Sequence, residues 1–228
     1  MPVTAKKPLQ PANKPALRAD LQMLCDFIPE GAKVLDVGCG DGSLLESLII
    51  EKNAQGFGLE ISREGVEKAL ARGLSVIQGD AETDLVTYAN QSFDVVVLSK
   101  ALQSLKNPAM VLAELARIGK TVLVSFSNYG HWRVRLQGWL AGRVPILEGE
   151  SGKDDGWWNA PHIRPCSLTD FLMLLEHSGL YCQQVGLLSQ KKTTFITADN
   201  LPNFVFKRQI ERANAFTKQA VFEVKSSP

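Results

Sequence analysis

Short runs of apolar residues alternate along the chain with segments in which apolar residues recur every three or four positions. The short runs predict strands that are buried on both faces, and the longer repeats predict amphipathic helices between them. Strands are predicted at 34–37, 56–61, 74–78, 92–99 and 121–126. Because parallel strands joined through helices require right-handed crossovers, the pattern predicts an α/β, doubly wound sheet that binds ligands at the carboxyl ends of its strands.

Polar residues at the ends of the helical repeats predict where the intervening helices begin. A first helix is predicted from Leu17, before the first strand. Ser43 and Glu46 have the spacing of a capping box, and Ser62 can cap the next helix. Pro108 can occupy the first position of a further helix, where its missing N–H costs nothing.

The pattern becomes weaker in the C-terminal third of the chain. A helix is predicted at 167–178, followed by a sixth strand at 180–189 and a seventh at 203–207. The sheet would then contain seven strands. Residues 208–228 carry scattered charges and a few aromatic residues, so they could form a separately packed helix or a mobile tail.

The first predicted strand runs directly into a glycine turn at 38–42 and a helix N-terminus. Together these elements present backbone N–H groups to a polar or anionic ligand. A dinucleotide fingerprint, G-x-G-x-x-G, would need glycine where Ser43 stands, so NAD is disfavoured. The spacing D-x-G-x-G-x-G instead resembles the first motif of class I methyltransferases, which bind S-adenosylmethionine (AdoMet). The alternative is a turn that only packs a strand against a helix.

Acids also follow the next two predicted strands. Glu60 lies eighteen residues after Gly42, close to the roughly 20-residue offset at which an acid reaches ribose hydroxyls. The methyltransferase resemblance places Asp36 at the ammonium group of AdoMet and Asp80 beside the adenine amino group. One such acid alone would more often be a solvated loop residue, but three at consecutive strand ends favour a cofactor site. The predicted site for AdoMet or S-adenosylhomocysteine comprises Asp36, Gly38, Cys39, Gly40, Gly42, Glu60, Ile61, Asp80, Ala81 and Ser99.

Length and composition limit the other classes of function. The 228 residues fit one domain at 17–207, with a loose arm at 1–16 and a tail at 208–228. A net charge of +1 with 21% charged residues argues against a nucleic-acid or membrane-surface partner. Because the chain lacks a long apolar run and an N-terminal signal core, a cytoplasmic location is expected. The four cysteines have no C-x-x-C spacing, which predicts reduced thiols and no metal site.

About forty residues, 127–166, separate the fifth strand from the next helix, which is far longer than an ordinary connection. Long connections at this edge of a sheet often carry function, and this insertion is interpreted as a lid. Trp132, Leu136, Trp139 and Leu140 recur at helical spacing and predict an amphipathic helix within it.

The same insertion holds the candidates for substrate or partner contacts. His131 and Tyr129 could assist proton transfer, although the favoured interpretation of His131 is a half-buried residue that hydrogen-bonds to a neighbouring loop. Arg133 and Arg135 could bind a carboxylate or an acidic partner surface, or they could be solvated. The tryptophans are interpreted as packing within the lid, although indole faces also attract sulfonium-like cations. The predicted lid or partner residues are Gln103, His131, Trp132, Arg133, Arg135, Trp157 and Trp158.

The chain resembles the MetW family of bacterial methionine-biosynthesis proteins from about residue 17 to residue 188. The resemblance rests on V-L-D-V-G-C-G-D-G at 34–42, G-F-G-L-E at 56–60, D-V-V-V-L-S at 94–99 and the most specific block, G-H-W-R at 130–133. It implies a class I methyltransferase fold, Rossmann-like, with the last strand antiparallel between the fifth and sixth. It also implies a role in supporting the homoserine O-acyltransferase MetX. Lys100 and His162 depart from the expected pattern on the substrate side.

Two functions are compatible with these features. In the first, AdoMet or its product is a regulatory or structural ligand, and the insertion docks on the acyltransferase. The absence of a convincing pair of base and nucleophile favours this hypothesis. In the second, the protein methylates a small metabolite. Because methyl transfer needs mainly the alignment of nucleophile and methyl group, active enzymes can also have weak catalytic signatures.

Overall fold

The computed structural model describes residues 18–142, 144–145, 147, 162–189, 192–198 and 202–226. Within these ranges, eight strands form one sheet in the order β3-β2-β1-β4-β5-β8-β6-β7. The strands are β1 Lys33–Val37, β2 Gln55–Glu60, β3 Ser75–Gln78, β4 Phe93–Ser99, β5 Gly119–Ser127, β6 Leu180–Ser189, β7 Lys192–Thr197 and β8 Gln219–Ser226. The predicted arm at 1–16 and the predicted lid residues Trp157 and Trp158 lie outside the described residues.

Seven helices pack around this sheet in the described part of the chain. They are α1 Ala19–Phe27, α2 Ser43–Lys52, α3 Arg63–Ala71, α4 Pro108–Ile118, α5 Trp132–Ala141, α6 Leu168–His177 and α7 Asn203–Asn214. None of them is long and apolar enough to cross a membrane. The strands β1 to β5 pair in parallel, so the predicted doubly wound α/β class is confirmed.

Both faces of the sheet are covered by apolar side chains. Leu35 packs with residues of α4, α6 and α7 on one face, whereas Val34 packs with residues of α1 and α2 on the other. Successive residues of a strand point to opposite faces, so a strand buried on both faces must be apolar throughout. This explains why the central strands were the clearest signals in the sequence.

Most helix starts are as predicted, but the capping box at Ser43 is wrong. Ser43 is the first helical residue of α2, and Gly42 precedes it in a left-handed conformation with φ of 76°. Gly42 is the N-cap and supplies no side-chain cap, while the carboxylate of Asp41, one residue earlier, accepts hydrogen bonds from the Ser43 N–H at 3.1 Å and hydroxyl at 2.7 Å. By contrast, Ser62 caps α3 as expected by accepting from the Gly65 N–H.

The C-terminal third differs most from the prediction. Residues 203–207 were predicted as a strand, but they form the first half of α7. Phe206 and Ile210 are both buried, and their separation of four residues brings them to one face of a helix. The strand β7 was not predicted. Neither alternative for the tail describes residues 219–226, which form β8.

The antiparallel strand is nevertheless where the family resemblance places it. Residues of β8 pair antiparallel with β5 and with β6. The sheet therefore has the predicted inserted strand, but that strand comes from the tail, and the total in the described residues is eight rather than seven.

Candidate cofactor site at the glycine turn

The turn at 38–42 leaves the carboxyl end of β1 through three glycines with positive φ. These are Gly38, Gly40 and Gly42, with φ of 74°, 55° and 76°. At Gly42 a side chain is also excluded by packing, because a Cβ atom would lie 2.2 Å from Leu74 Cδ1 and 3.2 Å from Ala69 Cβ. Around Gly40 no atom lies within 4 Å of that position. The absence of a side chain at Gly42 therefore allows the turn to pack against Ala69 of α3 and Leu74, whereas the space around Gly40 stays free.

Glu60, at the end of β2, stabilises this turn through hydrogen bonds to its backbone. Its two carboxylate oxygens accept hydrogen bonds from the Gly40 N–H and the Ser62 N–H, both at 2.8 Å. The Glu60 side chain is buried at 8% exposure. The predicted ribose-binding acid is thus also part of the scaffold, since it joins the glycine turn to the start of α3.

Asp36 lies at the centre of the site and is poorly compensated. Only 2% of it is exposed, and its Oδ1 atom has no hydrogen-bond partner among the described residues. Burial and, to a smaller extent, the nearby charge of Glu60 together raise the pKa of Asp36 to about 7. A buried carboxylate oxygen without a donor is costly unless a ligand supplies one. The position is therefore suited to a cationic or N–H-bearing group.

A cavity of about 590 Å³ opens beside Asp36, and we call it the glycine-turn cavity. Its walls come from the turn, the start of α2, the ends of β1 and β4, and the start of α1. The side-chain and backbone lining is Arg18, Leu21, Asp36, Gly38, Cys39, Gly40, Asp41, Ser43, Leu44, Glu46, Arg72, Ser99 and Lys100. Five of the predicted cofactor residues, Asp36, Gly38, Cys39, Gly40 and Ser99, therefore share one cavity.

Most charges around this cavity are paired. Arg72 contacts Asp41 at 2.7 Å and Glu46 at 2.6 Å. Lys100, which follows β4 with φ of 56°, contacts the buried Asp20 at 3.1 Å. Arg18 contacts the same Asp20 carboxylate at 3.2 Å. Among the described lining residues, this pairing leaves Asp36 as the acidic side chain without an ion-pair partner.

The remaining predicted cofactor residues lie outside the lining of this cavity. Gly42 packs under the turn, and Ile61 is 64% exposed. Asp80 stands close to the end of β2, because the Gly79 N–H donates to the Glu60 carbonyl at 3.0 Å. The Asp80 carboxylate accepts from the Glu82 N–H at 2.8 Å, and Ala81 follows it in this turn. The predicted roles of these residues toward adenosine stay predictions.

The Cys39 thiol is not suited to nucleophilic chemistry. Burial raises its pKa to about 12, and the charges of Asp36 and Glu60 act in the same direction. The thiol therefore stays protonated at neutral pH. None of the four cysteines, all of which are described, forms a disulfide.

The predicted lid residues do not converge on the glycine-turn cavity. His131 caps α5 by accepting the Arg133 N–H at Nδ1 and lines a different cavity with Arg133. The Tyr129 hydroxyl lies 3.4 Å from Nδ1 of His162. Neither catalytic candidate lines the space beside Asp36.

The other predicted lid residues have separate surroundings. Gln103 is buried, and its side-chain amide donates to the Ser127 carbonyl at 3.1 Å. Trp132 is 44% exposed, and Arg135 is exposed on α5. The predicted amphipathic helix exists as α5, but none of its residues is buried.

Several buried polar residues that hold the elements around the two cavities in place were not identified from the sequence. Asp20 gave no signal because its partner Lys100 is distant in the chain. Asn128 is buried, and its amide donates to the carbonyls of Asn214 and Thr217 at 2.7 and 2.8 Å. An asparagine directly after a strand was the available hint, but its partners lie in the segment whose fold was wrongly predicted.

Comparison with solved structures relates this architecture to methyltransferases. A SAM-dependent methyltransferase, possible histamine N-methyltransferase, from Thermotoga maritima is 19% identical and has a TM-score of 0.63, with 92% of this chain and 88% of that chain covered. A SAM-dependent methyltransferase from Archaeoglobus fulgidus is 17% identical with a TM-score of 0.62, and 92% of each chain is covered. At such identities the likeness supports the fold alone.

Comparison of sequences is more specific. The bifunctional methionine biosynthesis protein MetXA/MetW of Rhodopirellula baltica is 29% identical over 195 residues, which are 82% of this chain and 31% of that protein. The ubiquinone biosynthesis O-methyltransferase of Hahella chejuensis is 35% identical over 105 residues, 42% of this chain and 44% of that protein. The chain thus spans less than half the length of these relatives. The family model described as methionine biosynthesis protein MetW matches residues 18–222, and the chain therefore belongs to the MetW family.

Proposed function

We propose that this protein binds AdoMet or S-adenosylhomocysteine at the glycine-turn cavity and acts in methionine biosynthesis by supporting a homoserine O-acyltransferase of the MetX type. The main support for the ligand is Asp36, whose buried Oδ1 atom has no hydrogen-bond donor among the described residues and which lines the same cavity as Gly40. The observation that carries the pathway is the relative in which MetXA and MetW segments share one chain.

The residues present fit the amino-acid end of AdoMet. Asp36 would accept hydrogen bonds from the ligand's ammonium group, and the open space around Gly40 would allow the ligand to approach the backbone closely. When bound, AdoMet would supply an activated methyl group, whereas S-adenosylhomocysteine would not. Ser99 borders the cavity from β4, and its hydroxyl accepts from that of Ser125 at 3.2 Å.

Titration calorimetry tests the ligand. We expect AdoMet or its product to bind, and Asp36→Asn to weaken binding by tenfold to a hundredfold, the equivalent of a lost charged hydrogen bond of ~1.5–3 kcal/mol. Asp94→Asn is the matched control, because Asp94 lies in β4 and pairs with Lys120 at 2.8 Å, outside the cavity lining. Equal affinity of the Asp36 variant and the parent would contradict the site.

The exposed face of α5 is the surface that best fits a protein partner. Its large apolar residues lie at positions i, i+4, i+7 and i+8, which share one side of a helix. Their exposed fractions are 44% for Trp132, 39% for Leu136, 80% for Trp139 and 69% for Leu140. Exposed clusters of this kind mark interaction sites more often than scattered residues do.

Charge complements this apolar face. The helix contains Arg133 and Arg135 but no acid, so it would favour an acidic rim around an apolar groove on the partner. The relative that joins MetXA to MetW makes the acyltransferase the partner that we propose.

Co-expression with a MetX-type acyltransferase tests this partner. We expect the two proteins to co-purify, and the double variant Trp139→Ser with Leu140→Ser to abolish co-purification and the rise in acyltransferase activity. Phe204→Ser with Met173→Ser is the control, since these residues are 69% and 64% exposed on α7 and α6. Loss of the complex with the control pair only, or acyltransferase activity that is the same with and without this protein, would contradict the proposal.

An AdoMet-dependent methyltransferase acting on a small metabolite is the second candidate. It is favoured by the identity over 42% of this chain to a ubiquinone biosynthesis O-methyltransferase. A screen with methyl-labelled AdoMet distinguishes the two candidates. Labelled product that disappears with Asp36→Asn would support an enzyme, whereas AdoMet binding without any product would support the partner role.

A further inference from the structure

A second cavity of about 530 Å³ lies where β5, β6 and β8 meet the start of α5, and we call it the α5 cavity. Ser127, Leu188 and Gln219 line it from the three strands, while His131 and Arg133 line it from α5. It shares no lining residue with the glycine-turn cavity. Its size is within the range of small-molecule sites.

The α5 cavity is electropositive. Arg133 and Lys218 line it, and none of the described lining residues is acidic. The two cations form no ion pair within the described part of the chain; Arg133 contacts the Trp132 ring, with its Cζ 5.3 Å from the ring centroid. Uncompensated cations around a partly enclosed space attract anions.

His131 supplies a neutral donor to the same space. Only 6% of it is exposed, and its Nδ1 accepts the Arg133 N–H at 3.2 Å. Burial lowers its pKa, and the charges of Lys218 and Arg133 lower it further. The ring is therefore neutral at pH 7 with its proton on Nε2, where no described residue accepts it.

The backbone of the α5 N-terminus cannot bind the anion, because its N–H groups are already used. The Trp132 N–H donates to the Ala215 carbonyl at 2.8 Å, and those of Val134 and Arg135 donate to the His131 carbonyl. The Arg133 N–H donates to His131. A phosphate usually uses several backbone donors, whereas a carboxylate needs only side chains such as a guanidinium and an ammonium.

We propose that the α5 cavity is a second ligand site that binds a small organic carboxylate. Arg133 and Lys218 hold the carboxylate group, and His131 donates to it from Nε2. The carbon chain lies against Val134 and Leu188, which line the same cavity. This site is independent of AdoMet binding, since its residues belong to other elements.

Nuclear magnetic resonance titration of the full chain tests this site with three probes of similar size but different charge. We expect saturable shifts of the Asn128, Val134 and Gln219 amides with butyrate. We expect at least tenfold weaker binding of inorganic phosphate and none of n-butylamine. Shifts that do not saturate with butyrate, or phosphate binding as tight as that of butyrate, would overturn the proposal.

Matched variants show which side chains hold the probe. Lys218→Met and Arg133→Met should each weaken butyrate binding at least tenfold, whereas Arg135→Met, on the same helix but outside the lining, should leave it unchanged. The Lys218 side chain is exposed, so its replacement tests the site even if the Arg133 variant misfolds. Equal butyrate affinity of Lys218→Met and the parent would overturn the assignment. Asp36→Asn should keep butyrate binding while AdoMet binding weakens, which separates this proposal from the proposed function.

Discussion

The two cavities lie at the same edge of one sheet but differ in the charge that is left uncompensated. Around the glycine-turn cavity, Arg72 pairs with two acids and Lys100 pairs with Asp20, so the buried Asp36 is the remaining charge. Around the α5 cavity, Arg133 and Lys218 have no acid among the described lining. We infer that the ligand proposed for each cavity is selected less by the number of charged residues than by which of them lack a partner.

The largest effect is expected from Asp36→Asn, measured as stability against pH. The folded pKa of about 7 lies above the ordinary value of 3.8, so the folded chain keeps a proton that the unfolded chain has lost. Stability therefore falls as the pH rises from about 4 to about 7, and stays low above that. The variant should remove this cost and gain up to ~4 kcal/mol at pH 8, with no gain at pH 3.

Urea unfolding at several pH values measures this difference. A variant that is less stable than the parent at pH 8 would mean that ionised Asp36 is stabilised by its surroundings, and the contrast between the two cavities would then disappear. Butyrate binding in the α5 cavity should be the same in both proteins.

The next largest effect is expected from Gly42→Ala. A Cβ atom there would lie 2.2 Å from Leu74 Cδ1, and φ is 76°. Overpacking and a left-handed backbone together should cost ~3 kcal/mol of unfolding free energy. Gly40→Ala is the control, because its φ of 55° is unfavourable but the space is open, which should cost ~1 kcal/mol. Equal losses of unfolding free energy in the two variants would show that the contacts of Gly42 with Leu74 and Ala69 add no cost beyond that of the left-handed backbone.

A smaller effect is expected from Asp20→Asn, which tests whether pairing decides the charge of the glycine-turn cavity. Asp20 pairs with both Lys100 and Arg18, so the variant should leave these two cations beside the site without their shared acid. AdoMet affinity measured by calorimetry should fall three- to tenfold, equivalent to ~1 kcal/mol. Asp94→Asn again serves as the control, since it breaks an ion pair at the other end of β4. Tighter AdoMet binding in the Asp20 variant would reverse the interpretation.

The N-terminal part of the fold could be predicted because its signals are local. The run at 95–98 is apolar because β4 is buried on both faces. Ser62 and Asn107 cap their helices through N–H groups three residues away. The glycine turn and the position of Asp36 could also be predicted from the sequence. A strand, a turn and a helix follow one another directly there, which places Asp36 at the end of a strand.

The C-terminal part could not be predicted because its signals are ambiguous or distant. Phe204 and Phe206 alternate as in a strand, whereas Phe206 and Ile210 are spaced as in a helix, and burial of the latter two shows that the helix prevails. β8 pairs with β5 almost one hundred residues earlier, for example Val221 with Ser125. Nothing in a short window of sequence marks such a pairing.

The parallel core, the glycine turn, the acids at the strand ends and the family could all be inferred from the sequence, because each depends on residues close together in the chain. Which charges have a partner becomes visible only in the folded chain, since the contact of Asp20 with Lys100 joins residues that are eighty positions apart. The folded chain likewise brings Lys218 and Arg133 to the lining of one cavity. Electrostatic interactions depend on distance and burial in space, and neither can be read from the order of residues.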